Sequence, residues 1–207
     1  THSHVDHFGG VTGILSQEAA RAQQVRVIAP AGFIEEATSE NVMAGLAMNR
    51  RAGYQYGRYL ARSPRGHVDT GLGKEPPLSG TFSILQPTEL IDHTGQELVI
   101  DGVSFRFQYV PESEAPAEFT FYLPTKKAFC GAELVSRNLH NVYTLRGAKV
   151  RDALRWSDYI DEALQLFGDA DIYFASHHWP LWGQAAIHDF LATQRATYKY
   201  IHDQTLR

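Results

Sequence analysis

The first seven residues of the chain, THSHVDH, hold three histidines and an aspartate. His2, His4, Asp6 and His7 have the spacing H-x-H-x-D-H. In extended or turning backbone, histidines at i and i+2 point the same way and can chelate one ion. Asp6 and His7 lie on the next part of the turn, within reach of a neighbouring ion. Imidazole nitrogen combined with carboxylate oxygen suits zinc or another borderline divalent metal. A tag remnant accounts for the string less well: a tag carries no aspartate at that spacing and does not run straight into Gly9–Gly10 and an amphipathic segment.

The elements that must position such a site can be read from periodicity. Val11 to Gln24 has helical spacing, with Ile14, Leu15, Ala19 and Ala22 near one face. Val25–Ala29 reads as a short buried strand stopped by Pro30, and Phe33 to about Leu60 as helix. The segment 63–80, rich in Gly and Pro, reads as loop. Strands are expected at Phe82–Leu85, Glu97–Ile100, Val103–Val110, Glu118–Leu123 and Ala128–Cys130, with Asp101–Gly102 as a type I′ hairpin turn. Ala153, Trp156, Ile160, Ala163, Leu164 and Phe167 form one apolar helical face ended by Gly168. Asp171–Ala175 is a short strand leading into SHHWP, and a last helix carries Ile187, Phe190, Leu191, Gln194, Tyr198 and Ile201.

Composition narrows the function classes. The 207 residues are 43% hydrophobic and 20% charged, a globular profile. A net charge of −4 gives no phosphate-binding surface, so nucleic acid is not an expected partner. One cysteine, Cys130, excludes an internal disulfide framework and a Cys-rich zinc knuckle. There is no apolar run of membrane-spanning length and no signal-peptide pattern.

The opening string resembles the first metal motif of the metallo-β-lactamase superfamily. That resemblance implies an α/β fold, the αββα sandwich, with further ligands in a mid-chain turn, after the next strand, and after a late strand. Glu114, in PESEAPAEFTFYLP, stands where the superfamily has a histidine. Glu133, in FCGAE, stands where it has a bridging aspartate. His177–His178, in ASHHW, supplies the closing histidine. Both replacements by glutamate, together with SEAPAEFTFYLP, CGAELVSRNLHNVYTLRGAKVRD and FASHHWPLWG, are similar to the alkylsulfatase branch, whose members hydrolyse dodecyl sulfate and similar detergents.

The resemblance implies two zinc ions. One takes His2, His4 and Glu114. The other takes Asp6, His7 and one of His177 and His178, with His178 favoured by its spacing from Glu133. Glu133 bridges them beside a water, so Glu133, Asp6 and Arg146 are the implied catalytic set. Arg146 and Asn141 stand where the branch binds sulfate, with Thr144 and Tyr143 as further contacts, and a forked guanidinium suits that anion. Arg151 reads as structural. His140 reads either as a proton donor or as a capping residue. The stretch from Val42 to Leu60, with Tyr54, Tyr56 and Tyr59, reads either as a wall for an alkyl tail or simply as core. Two zinc ions bring +4 against three carboxylates, so metal binding and folding are expected to be linked.

The implied substrate is a small-molecule alkyl sulfate, cleaved to alcohol and inorganic sulfate. In the branch, strands precede the H-x-H motif, and a dimerisation region and a lipid-transfer-like domain follow the catalytic domain. Residues 1–207 are therefore expected to be part of that domain, from a homodimeric parent for which a periplasmic or secreted location is plausible. Two alternatives remain: a hydrolase of the same fold acting on a thioester, lactone or β-lactam, and an inactive metal-binding fragment.

Overall fold

The computed structural model describes residues 1–22, 25–70 and 81–207. After a single turn of helix, α1 (Val5–Phe8), come a 3-10 turn (Val11–Gly13), α2 (Gln17–Arg21), β1 (Ile28–Pro30) and α3 (Phe33–Thr38). A π-helical turn (Ser39–Met43) leads into α4 (Gly45–Gln55). Next are β2 (Glu89–Ile91), β3 (Glu97–Ile100), β4 (Val103–Tyr109), β5 (Phe119–Leu123) and β6 (Ala128–Cys130). The chain closes with α5 (Ala153–Phe167), β7 (Ile172–Phe174), β8 (Leu181–Trp182) and α6 (Gln184–Thr205).

β3 to β8 form one six-stranded sheet in sequence order. All neighbours are antiparallel except β6 and β7, which run parallel because α5 crosses over between them. β1 and β2 form a separate parallel pair. Side-chain alternation along β4 and β5 explains why the large sheet is covered on both faces. Phe105, Phe107, Phe119 and Phe121 pack on one side with Ile28 and Ile91 of the small sheet. Tyr122 points the other way, into a core with Trp156, Ile160, Ala163 and Phe167 of α5 and Ile187, Leu191 and Tyr198 of α6. Phe33 and Ala37 of α3 pack with Ala29 of β1 and with Phe8. The layers thus run helix, sheet, sheet, helix, as the αββα expectation requires.

Several local expectations change. The segment expected as one helix, Val11–Gln24, is described to residue 22 and is not continuous there: it breaks at Gly13, and Ser16 caps a new start by accepting from Ala19 N–H at 3.1 Å. Phe82–Leu85 is not a strand, and β2 forms at Glu89–Ile91 instead. The helix expected to about Leu60 ends at Gln55 and contains the π turn. β8, only two residues long, carries no sequence signal. Of the Gly/Pro-rich segment, residues 71–80 lie outside the described residues. Asp101 and Gly102 both have positive φ, 48° and 76°, as a type I′ turn demands.

Candidate metal centre

The opening motif is extended at its start because it is stitched to the sheet. His2 forms a β-bridge with Glu118, flanked by Ser3 N–H to Ala117 O (3.1 Å) and Phe119 N–H to Thr1 O (3.0 Å). The backbone turns at His4, which caps α1, and this change of direction carries Asp6 and His7 away from His2 and His4. Glu114 sits in the turn between β4 and β5. Glu133 follows β6 after Gly131 and Ala132. A side chain at Gly131 would collide with the Tyr173 hydroxyl, so glycine is required for the turn to pass that phenol.

These segments bring two groups of potential ligands together: His2, His4, Glu114 and Glu133, all buried, and Asp6, His7 and His177, more open. Glu133 lies between the groups. Its Oε2 is 3.1 Å from His2 Nε2 and 3.0 Å from His7 Nε2, and its Oε1 is 3.5 Å from His177 Nε2. His4 Nδ1 is 2.9 Å from Glu114 Oε2 and His2 Nε2 is 3.7 Å from it. Yet that buried oxygen has no aligned hydrogen-bond donor among the described residues. A carboxylate oxygen buried beside two imidazole nitrogens, with no donor pointed at it, fits a site for a cation. The nitrogen and oxygen donors suit a borderline divalent metal such as zinc.

The structure places the two adjacent histidines differently from the sequence expectation, which favoured His178. The histidine that meets Asp6 and His7 is His177, with Nε2 3.5 Å from Asp6 Oδ2 and 3.2 Å from His7 Nε2. His178 is exposed and has a left-handed φ of 71°, which sends its side chain off the line of its neighbour. Adjacent residues at a strand end diverge, so only one of the pair can enter the group, and sequence spacing selects the other.

The electrostatics follow from the crowding. Burial drives His2 down to about 4, against the pull of the Glu133 carboxylate. Burial also opposes charge on His7, but Asp6 and Glu133 outweigh it and raise the imidazole to about 10. Asp6 is held below the usual carboxylate range: burial would raise it, and hydrogen bonds to His177 and His7 overcome that. Glu133 is likewise lowered, against burial, by hydrogen bonds with His140, His2 and His7. The carboxylates thus stay ionised and draw positive charge toward themselves.

Three residues without a sequence signal complete the surroundings. Arg151, buried, donates from its guanidinium to the Glu114 carbonyl and carboxylate, and its remaining terminal nitrogen reaches Asn141 Oδ1 at 2.7 Å. Glu118 is fully buried and accepts from Glu133 N–H at 2.9 Å. Burial and the negative charge of Glu114 push its carboxyl up to about 8. Glu40, from the π turn, pairs with Arg146 at 2.8 Å and approaches His4 Nε2 at 3.7 Å. His140 Nε2 lies 3.3 Å from Glu114 and 3.4 Å from Glu133.

The other expected substrate contacts are dispersed. Arg146 is half-buried, its backbone N–H bonded to Gln55 and its guanidinium to Glu40. Asn141 is held by Arg151. Thr144 is buried and accepts from Ala148 within its own loop, while Tyr143 is exposed. Along the Val42–Leu60 stretch, Met48 is core, whereas Val42, Met43, Leu46, Tyr54 and Tyr59 are exposed.

The fold is that of the metallo-β-lactamase superfamily. A metallo-β-lactamase family protein of Thermus thermophilus superposes with a TM-score of 0.57 at 20% identity, over 97% of this chain and 59% of that one. In sequence the chain is similar to alkylsulfatases. It is 49% identical, over its whole length, to 31% of a linear primary-alkylsulfatase of Pseudomonas sp.. The stereoselective inverting sec-alkylsulfatase Pisa1 from Pseudomonas sp. superposes with a TM-score of 0.96 at 40% identity, over 99% of this chain and 32% of that protein. The chain therefore spans about a third of the length of these relatives. No family profile matches it.

Proposed function

We propose that this chain forms the metal-binding core of a sulfuric ester hydrolase that cleaves alkyl sulfates to alcohol and inorganic sulfate. The observation that carries the reading is the position of Glu133 between two groups of imidazole and carboxylate donors. His2, His4 and Glu114 would hold one divalent ion and Asp6, His7 and His177 a second, with Glu133 shared. When bound, zinc-type ions supply Lewis acidity and lower the pKa of water from about 15.7 to about 7, so hydroxide is available near neutral pH.

The chain's own residues do the rest. The carboxylates of Asp6 and Glu133, held ionised by their histidine partners, would accept hydrogen bonds from the attacking water and orient it. Arg146 and Asn141 orient the sulfate ester, and the guanidinium offsets charge that grows on the departing sulfate. The ester is a monoanion, and Arg146 meets it while already paired with Glu40. Arg151 keeps Glu114 in place. Among the described residues no helix is long and apolar enough to cross a membrane. A small-molecule substrate and a homodimeric parent complete the proposal.

The test is metal analysis followed by a substrate screen. Metal-loaded protein is expected to hold two zinc ions and to release sulfate from dodecyl sulfate. Turnover of nitrocefin or a glutathione thioester in its place would assign the site to a different hydrolase.

A further inference from the structure

We infer that Glu118 is a positioning residue that sets the geometry of the buried ligand group while binding no metal itself. The inference rests on the reading of His2, His4, Glu114 and Glu133 as ligands. Glu118 is fully buried, and both oxygens of its carboxylate are engaged by protein donors. Oε2 accepts from Ala115 N–H at 3.1 Å and lies 3.1 Å from Ser113 Oγ, whose own proton goes to the Val110 carbonyl at 2.6 Å, so the carboxyl touches the residues on either side of Glu114. Oε1 accepts from the backbone N–H of Glu133 at 2.9 Å. The Glu118 backbone forms the bridge to His2, and its carbonyl accepts from Val110 N–H at 3.0 Å. One residue thus touches the turn of Glu114, the backbone of Glu133 and the strand of His2, three of the four members of the group.

This arrangement differs from ordinary core packing. One backbone N–H points at each oxygen, Glu133 at Oε1 and Ala115 at Oε2, so the site calls for an oxygen acceptor on both sides. A glutamine of nearly the same volume presents an oxygen to one side and an NH2 to the other. It would push either Glu133 or the Ser113–Ala115 turn out of place. Partners that orient ligands in this way change metal affinity by about 10–100-fold when they are altered.

The experiment compares Glu118→Gln with the parent chain in zinc competition titrations, and measures the metal-free melting temperature of both. The expected result is a loss of about 10-fold or more in zinc affinity, with a metal-free melting temperature within a few degrees of the parent. Affinity within about threefold of the parent would overturn the inference, as would a fall in melting temperature equal with and without metal, the mark of packing alone. If the parent chain binds no divalent metal, the ligand reading and this inference fall together; equal affinities sink only the latter. Should Glu118→Gln not fold, amide exchange on the zinc-loaded parent decides. Glu133 and Ala115 N–H are then expected to be protected together, and free exchange at Glu133 would show that Glu118 does not hold it.

Discussion

Arg151 grips Glu114 from two directions, through one guanidinium nitrogen to its backbone carbonyl and through another to its carboxylate. Both residues are buried. Removing one partner from a buried pair leaves an uncompensated charge, at a cost of about 3–5 kcal/mol. Arg151→Met is therefore expected to lower metal-free stability by roughly 3 kcal/mol in urea denaturation. The loss should shrink when zinc is present, because the metal takes over the charge on Glu114. Equal losses with and without zinc would contradict the shared role of that carboxylate.

Chelation should destabilise the chain. A ligand present at about 1,000 times its dissociation constant contributes about 4.1 kcal/mol per site to the folded state. Zinc-loaded protein treated with a strong chelator is expected to melt several degrees lower in calorimetry. An unchanged melting temperature would refute the linkage of metal binding to folding.

His177 and His178 make opposite predictions. His177→Ala is expected to weaken the second zinc by at least about 10-fold. His178→Ala, at an exposed residue outside the group, should leave metal content at the parental value. Elemental analysis after dialysis distinguishes them, and the reverse pattern would restore the assignment suggested by sequence spacing.

Arg146 and Glu40 should separate binding from chemistry. A charged hydrogen bond contributes about 1.5–3 kcal/mol, so Arg146→Ala should reduce kcat/KM for an alkyl sulfate by about 10- to 150-fold. Glu40→Gln releases the guanidinium from its 2.8 Å pair and is expected to lower KM for the monoanionic ester. Steady-state kinetics on the metal-loaded protein read both effects.

The parts of this site that are legible in sequence are those held together by short separations or by recognisable motifs. The H-x-H-x-D-H string is local, and its backbone turn at His4 follows from its own residues. Glu114 and Glu133 stand out through their motif neighbours. Arg151, Glu118 and Glu40 do not, because a lone charged residue reads as solvated surface until the fold buries it. Their roles depend on contacts across 37, 15 and 106 residues of chain. Periodicity makes β4, β5 and the apolar stripe of α5 legible one by one, whereas the αββα layering is legible only through the family resemblance of the motifs. The short β2 and β8 are not, since two or three residues carry no periodicity to count.

The parallel pairing of β6 with β7 has an evolutionary corollary. Glu133 and His177 both emerge where these adjacent strands finish, so they share one rim of the sheet while the crossover helix occupies the face behind. Beyond Glu133 and His177 the loops on that rim can lengthen or change composition, and so alter which molecules are admitted, without disturbing the spacing of the donors. The strands themselves have no such latitude, because sliding one past the other by a single residue would turn their core side chains to the opposite face and shift Glu133 relative to His177.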